Sequence, residues 1–364
     1  MNSRQPIPVV VLAGFLGSGK TTVLNHLLAG RGGTRIGVVV NDFGSIEVDA
    51  MAVAGQVGDS MVSLGGGCLC CAVDGSELDA YLEKLSAPVH RIDVIVIEAS
   101  GLAEPQEMVR MLMASENPAV RYGGMVEVVD AAEFDATRAR HPETDRHLSV
   151  ADLVVLNKTD RVDARERARL ETLLASLCAP GTPVVAADHG RIDPELLFDR
   201  RPWTETRGQL SFEDLLAQAD GHDHDHCTHA HAAYESTEFT SEQAMSPRRL
   251  MDFLDRRPAG LYRIKGSVWF GVPGHEECHE VHAVGRFLRF APRPWGRGEA
   301  RRTQLVLIGS GTDGPTLLRE LEHCREEAPR EVPPESMWGV LRYVARPRPE
   351  EEPEPGPGEP GEAP

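Results

Sequence analysis

The stretch Gly14-Phe15-Leu16-Gly17-Ser18-Gly19-Lys20-Thr21 constrains this chain more than any other. An apolar run, Ile7 to Ala13, precedes it and reads as a buried strand. Thr22 to Ala29 follows and reads as a helix with Val23, Leu24, Leu27 and Leu28 inward. Strand, glycine-rich turn and helix is the context in which the spacing G-x-x-x-x-G-K-T holds phosphate. The backbone N–H groups of such a turn point into one concavity, and the helix N-terminus adds its positive dipole end. Gly14, Gly17, Ser18, Gly19, Lys20, Thr21 and Thr22 are therefore candidate nucleotide-binding residues. Lys20 is expected to reach the terminal phosphates, and the Thr21 hydroxyl to ligate Mg²⁺. The plain alternative is a glycine-rich turn with no ligand.

Further short apolar runs follow at Ile36 to Val40, Met61 to Leu64, Val94 to Ile97, Val126 to Val129, Leu153 to Leu156 and Val184 to Ala187. Helical stretches lie between them, among them Asp74 to Leu85, Glu104 to Ala114 and Arg165 to Leu177. This alternation predicts an α/β fold: a P-loop NTPase domain with a mostly parallel sheet and helices on both faces. Ligands of such sheets bind beyond the carboxyl ends of the strands. From about residue 200 the periodicity breaks, and residues 201–235 read as a His-rich flexible linker. In 236–346, strand-like runs at Leu261 to Phe270, Val281 to Phe290 and Leu305 to Ile308 follow one another directly. Helical runs at Pro247 to Leu254 and Thr316 to Cys324 flank them, which predicts a smaller α+β C-terminal domain with an antiparallel sheet. Residues 347–364 are almost entirely Glu, Pro and Gly, which predicts a disordered acidic tail and leaves 1–200 as the first domain.

The net charge of −18 argues against a nucleic-acid backbone as partner. No apolar run approaches the roughly 20 residues that span a bilayer, and the polar residues Met1 to Pro8 do not fit a signal peptide. The odd total of seven cysteines does not suggest a disulfide framework, so a cytoplasmic location is expected. Three cysteines crowd together as Cys68, Cys70 and Cys71, after three glycines. Thiols so spaced suit soft metals such as Zn²⁺ or Cu(I). Neighbouring side chains diverge, so one or two thiols are expected to join ligands from elsewhere, with Asp42 and Glu47 as the nearest carboxylate candidates. A redox pair or small buried apolar cysteines are the alternatives.

Asn157-Lys158-Thr159-Asp160 at a strand end matches the guanine-reading N-K-x-D. A carboxylate at Asp160 can accept from guanine N1–H and the 2-amino group, a donor pair that adenine lacks. Glu98-Ala99-Ser100-Gly101 stands where many GTPases carry D-x-x-G. Glu98 there can hold Mg²⁺ through water, and the Gly101 amide can meet the γ-phosphate; the alternative is a Glu capping the next helix. His222, His224, His226, His229 and His231 read as weak, fast-exchanging metal capture, or else as a solvated polar loop. His275-Glu276-Glu277-Cys278-His279 matches H-E-x-x-H in letter, but that pattern needs a helix. Pro273-Gly274 precede it and a strand-like run follows. On an extended strand the two histidines share a face about 13 Å apart. A turn leading into an edge strand is expected there, not a zinc-protease site.

Gly14 to Thr21, Cys68-Leu69-Cys70-Cys71, Glu98-Ala99-Ser100-Gly101 and Asn157-Lys158-Thr159-Asp160 stand together in this order. The set resembles the CobW family of metal-chaperone GTPases, relatives of the nickel-insertion GTPases of urease and hydrogenase maturation. Arg263-Ile264-Lys265-Gly266 and Leu305-Val306-Leu307-Ile308-Gly309 resemble that family's C-terminal signatures. The resemblance covers about residues 7–330. Asn41-Asp42-Phe43-Gly44 departs from the family's usual N-E-F-G by one methylene. The resemblance implies a GTP-hydrolysing metallochaperone, with Lys20, Glu98 and Gly101 at the reaction, that binds Zn²⁺ or possibly Co²⁺ at the cysteines. GTP, a transition metal and a client metalloprotein are the expected partners, with no nucleic acid, no membrane, and a homodimer left open. A cobalt chaperone for cobalamin assembly is the alternative within the family. A metal buffer using the His-rich linker is the alternative outside it, and an ATP-dependent kinase is disfavoured by Asn157 and Asp160.

Overall fold

Alternation along the first strand sets the layers of the N-terminal half. In the computed structural model, which describes residues 6–31, 33–40, 61–63, 75–99, 104–199 and 235–344, β1 (Ile7–Gly14) is buried along its whole length. Val10 and Leu12 face Val23, Leu24 and Leu27 of α1 (Lys20–Ala29). Ile7, Val9 and Val11 face the other way, toward Leu78 and Leu82 of α2 (Gly75–Ser86) and Met108 and Leu112 of α3 (Pro105–Ala114). Successive strand side chains point to opposite faces, so a strand covered on both faces must be a continuous apolar run. Each large aliphatic side chain so buried stabilises the fold by about 1.5–3 kcal/mol.

Six more strands join it: β2 (Ile36–Val40), β3 (Met61–Ser63), β4 (Val94–Glu98), β5 (Val120–Asp130), β6 (Leu153–Asn157) and β7 (Val184–Ala186). The sheet runs β3-β2-β4-β1-β5-β6-β7, and every pair is parallel. Two short helices that the periodicity did not announce, α4 (Phe134–Arg140) and α5 (Thr144–Val150), follow β5, and α6 (Ala164–Leu177) follows β6. Asp163 caps α6 by accepting from the Glu166 amide at 2.8 Å. The expected cap of α2, Asp74, lies outside the described residues. Among the described residues no helix is long and apolar enough to cross a membrane.

The C-terminal half is an antiparallel sheet of β8 (Glu235–Ser241), β10 (Leu261–Trp269), β11 (Cys278–Val284), β12 (Phe287–Arg293) and β13 (Thr303–Gly309), in the order β12-β11-β10-β13-β8; β9 (Ala244–Met245) pairs separately with β14 (Arg325–Glu326). Ile264, Val268, Val281, Ala283, Leu305 and Leu307 point to one face. That face packs on α7 (Pro247–Asp255), α8 (Gly314–His323) and the short α9 (Trp338–Leu341). Two sequence expectations change here. Val281 to Phe290 is not one strand: the chain reverses at Gly285-Arg286 between β11 and β12. Nor is β11 an edge, since it pairs with β10 on one side and β12 on the other.

The two halves share a core. Tyr262, Val284 and Ile308 pack into the cluster that holds Val126, Val128 and Leu153. At this junction Asp152 is buried. One of its oxygens accepts from the Tyr122 hydroxyl at 2.5 Å and the Met125 amide at 3.0 Å. The other accepts from the Arg286 amide of the β11–β12 turn at 3.4 Å. Burial raises the Asp152 pKa against the pull of these donors. Gly285 sits at φ +52°, and a Cβ there would lie 1.8 Å from Asp152 Oδ1, so only glycine fits this turn.

Candidate nucleotide site

The carboxyl ends of β1, β4, β5 and β6 bring most of the motif residues together. The phosphate loop leaves β1 at Gly14, and Lys20 opens α1. The Lys20 ammonium is buried within the loop and donates to the carbonyl oxygens of Gly14 at 2.9 Å and Phe15 at 3.4 Å. Strands β1 and β4 run side by side with Leu12 opposite Glu98. That register sets the Glu98 carboxylate against the first turn of α1, where Thr21 Oγ1 donates to Glu98 Oε1 at 2.8 Å. Thr22, the next residue, is exposed. A hydroxyl and a carboxylate meeting at the phosphate loop form a pair of hard oxygen donors, which suits Mg²⁺.

From the other side β6 clamps the loop. Asn157 is buried; its Nδ2 donates to the Ser18 carbonyl at 2.9 Å, and its Oδ1 accepts from the Gly190 amide at 2.9 Å. The close approach explains Gly19, where a Cβ would lie 2.3 Å from Asn157 Nδ2. Lys158 holds φ +60°, a left-handed conformation that costs a residue with a Cβ about 1–2 kcal/mol. Its ammonium reaches the Gly17 carbonyl at 2.6 Å and Asp130 Oδ2 at 2.7 Å, which offsets that cost. Asp160 follows in a single 3₁₀ turn and is exposed. The sequence places Asn157 in the guanine-reading motif; the structure adds that its amide is the strut between the phosphate loop and the turn after β7.

One charged residue escaped the sequence reading. Glu127 lies on β5 with Ala13 and Val154 as its neighbours on β1 and β6. It is 2 % exposed, and its Oε2 meets no hydrogen-bond partner among the described residues. Burial pushes its pKa from 4.5 to about 8, with the Lys20 charge opposing. The available signal was a lone Glu inside the apolar run Val126 to Val129. A cleft of about 300 Å³ flanks the loop here, lined by Phe15, Ser18, Glu127, Asp130 and Lys158. Neither Thr21 nor Asp160 lines it, so it adjoins the Thr21–Glu98 side without being it.

Gly101, Asp42, Glu47, Cys68, Cys70, Cys71 and the linker histidines His222, His224, His226, His229 and His231 lie outside the described residues. The strand ends from which their segments depart are described. Val40, the last residue of β2, is opposite both Ser63, the last of β3, and Glu98. The segments carrying Asp42 and Cys68 thus start beside the Glu98 end of the sheet.

Residues 8–185 match the CobW/HypB/UreG nucleotide-binding domain, and residues 234–325 match the cobalamin synthesis protein cobW C-terminal domain. A protein of Sinorhizobium sp named zinc chaperone CobW is 31% identical over 83% of this chain and 92% of its own length. The zinc chaperone YjiA of Escherichia coli is 29% identical over 84% of this chain and 94% of its own. The crystal structure of Zn(II)-bound YjiA GTPase from E. coli is 25% identical, with a TM-score of 0.40, and the match covers 89% of this chain and all of that one. A nucleotide-binding domain built on β1 to β7, joined to the C-terminal domain built on β8 to β14, makes this chain a member of the CobW family.

Proposed function

We propose that this chain is a GTP-hydrolysing metallochaperone that carries Zn²⁺ and delivers it to a client metalloprotein. The observation that carries the reading is the meeting of Thr21 with Glu98 at 2.8 Å beside the buried Lys20 ammonium. It supplies a cation for the terminal phosphates and an oxygen pair for Mg²⁺ at one point of the loop. Mg²⁺ held there would neutralise charge developing on the β- and γ-phosphates. Lys20 and the loop amides would orient the γ-phosphate, Glu98 would hold its place through Thr21, and Gly101 would donate its amide nearby. Asn157 and Lys158 brace the loop, and Asp160, exposed at the end of β6, would read guanine. The similarity to proteins named zinc chaperone supports Zn²⁺ as cargo. Cys68, Cys70 and Cys71 with Asp42 or Glu47 are its proposed ligands. The proposed units are 1–200 for the nucleotide domain, 201–235 for the linker, 236–346 for the C-terminal domain and 347–364 for the tail, in a cytoplasmic protein.

Cargo and nucleotide are coupled in this reading, because the segments of Asp42 and Cys68 leave strand ends that flank Glu98. Coupling of this kind is worth about 1–3 kcal/mol, a factor of about 5 to 150 in affinity, and is reciprocal. Zn²⁺ is titrated into the full chain with GDP and with a non-hydrolysable GTP analogue, and then into the Cys70→Ser and Cys71→Ser variants. The expected result is a nucleotide-dependent Zn²⁺ affinity that both variants abolish. Equal affinities in the two nucleotide states end the chaperone mechanism.

A further inference from the structure

The H-E-x-x-H letters at 275–279 do not lie on a helix, and only Cys278 and His279 of them lie on strand β11. Pro273 and Gly274 form a tight turn: the His275 amide donates to the Val272 carbonyl at 2.9 Å, and Gly274 takes φ +81°. Pro followed by a positive-φ Gly is the pattern of a type II turn. The chain folds back before β11 begins at Cys278, so the spacing of about 13 Å that an extended strand imposes does not apply. His275, Glu277 and His279 instead bring one ligand atom each to within 4.8 Å of one another. Glu277 Oε1 lies 3.8 Å from His275 Nδ1 and 3.6 Å from His279 Nε2. A tetrahedral ion with bonds of about 2.0–2.2 Å sets adjacent ligand atoms about 3.3–3.6 Å apart, so the two edges to Glu277 are within about half an ångström of closure, and the His275–His279 edge, within 4.8 Å, closes by a side-chain shift of about 1 Å or more.

His279 is the second, independent observation. Its side chain is 0 % exposed, and neither ring nitrogen makes a hydrogen bond of good geometry among the described residues, Glu277 approaching it through its backbone and through its carboxylate at 3.6 Å. A buried polar group left unsatisfied costs about 1–3 kcal/mol, a cost that coordination of Nε2 would remove for that nitrogen. The ring is fixed edge-on against Phe270, with centroids 5.1 Å apart. The His275 and Glu277 side chains are 22 % and 33 % exposed, which leaves a path for an ion from solvent. Cys278 is not a fourth ligand. It precedes His279 on the strand and so points to the opposite face.

We propose that His275, Glu277 and His279 bind a first-row divalent cation of borderline hardness, with Zn²⁺ as the probe. Two imidazoles and one carboxylate favour such ions over Mg²⁺ or Ca²⁺. Three protein ligands leave one position open, so the ion stays exchangeable. The site belongs to the C-terminal domain. His279 shares a face of β11 with Val281 and Ala283, the face that packs on α7 and α8, whereas β11 meets the nucleotide domain from its other face, through His282 at 3.3 Å from the Tyr122 carbonyl and through Val284. Five residue steps separate His279 from Val284, about 17 Å of strand.

The test uses the full chain. Cys68, Cys70 and Cys71 are changed to Ser and the five linker histidines to Ala, and Zn²⁺ is titrated against a competing chelator. One equivalent is expected to remain, and Co²⁺ bound in its place should show no thiolate-to-cobalt charge-transfer band. Adding His275→Ala or Glu277→Gln, both at partly exposed positions, should weaken that equivalent 100-fold or more, since even an outer-shell partner is worth 10–100-fold. In the otherwise unaltered chain the same two substitutions should each lower the Zn²⁺ stoichiometry by one without changing GTP turnover. A background that retains no Zn²⁺, a retained ion that ignores both substitutions, or an unchanged stoichiometry in the intact chain overturns the site.

Discussion

Glu127→Gln should make the protein more stable at neutral pH and flatten its pH dependence. The side chain is 2 % exposed on the interior strand β5, and the amide keeps its shape while removing the ionisable group. In the folded chain the carboxyl holds its proton up to about pH 8; unfolded, it ionises near 4.5. Below 4.5 both states are protonated and the group is neutral to stability. Between 4.5 and 8 only the unfolded chain releases the proton, so stability is lost as pH rises; above 8 the loss is complete. A pKa moved from 4.5 to about 8 corresponds to at most about 5 kcal/mol. Urea midpoints of wild type and variant, measured at intervals from pH 5 to pH 8, isolate the effect, because contributions from other groups cancel in the difference. The two curves should lie close at pH 5 and diverge with the variant above. Nucleotide affinity gives a second readout. Ionised Glu127 opposes the Lys20 charge that phosphates need, so wild-type affinity should fall above pH 8 and that of the variant should not. Parallel stability curves over the whole range would refute the reasoning.

Two further outcomes rest on separate parts of the structure. Gly285→Ala should destabilise the chain by about 2–4 kcal/mol, because a left-handed backbone gains a Cβ that drives Asp152 off Tyr122, Met125 and Arg286; an unchanged urea midpoint would contradict the close contact at the junction. Asp160→Asn should weaken GTP binding and shift preference toward xanthine nucleotides, whose additional carbonyl suits an amide donor; a competition assay in which wild type binds ATP and GTP equally would remove the guanine-reading role.

The parallel sheet was legible because most of its strands carry a short apolar run, several of them separated by helical periods, and β1 needs no more than Ile7 to Ala13 to declare itself. Lys20, Thr21, Glu98 and Asn157 were legible because fixed spacing places them at strand ends, and the register of β1 with β4 then brings two of them into contact. The rest depended on tertiary structure. Strand β8 hides because Glu235, Ser236, Thr237 and Glu238 are polar, as an edge strand permits. Glu127 reads as an interruption in a strand, and only burial beside Lys20 gives it meaning. At His275 to His279 the turn into a strand was legible, but the spacing of about 13 Å was not, because a two-fold period assumes extended backbone and the strand begins only at Cys278.

The same constraints make the nucleotide sheet unequal in its two halves. On the β5-β6-β7 side the phosphate loop is fastened at Ser18 and Gly17 by Asn157 and Lys158, and Asn157 also holds Gly190. The other end of β6 is fastened too, since Asp152 precedes Leu153 and bonds the β11–β12 turn of the C-terminal domain. A fully buried strand of five residues anchored at both ends cannot shift without breaking buried hydrogen bonds, each left unmade at about 1–3 kcal/mol. On the β4-β2-β3 side, Val40 and Ser63 end beside Glu98 and release the segments that carry Asp42 and the cysteines. On the proposed function, a change in the phosphates felt through Thr21 and Glu98 therefore has an outlet on that side. Hydrolysis should act on the metal through the segments after β2 and β3, while the contact between the domains at Asp152 stays as it is. Hydrogen exchange with GDP and with the GTP analogue would read this directly: protection at Tyr122, Met125 and Arg286 should be unchanged, and a nucleotide-dependent change there would show that the junction moves.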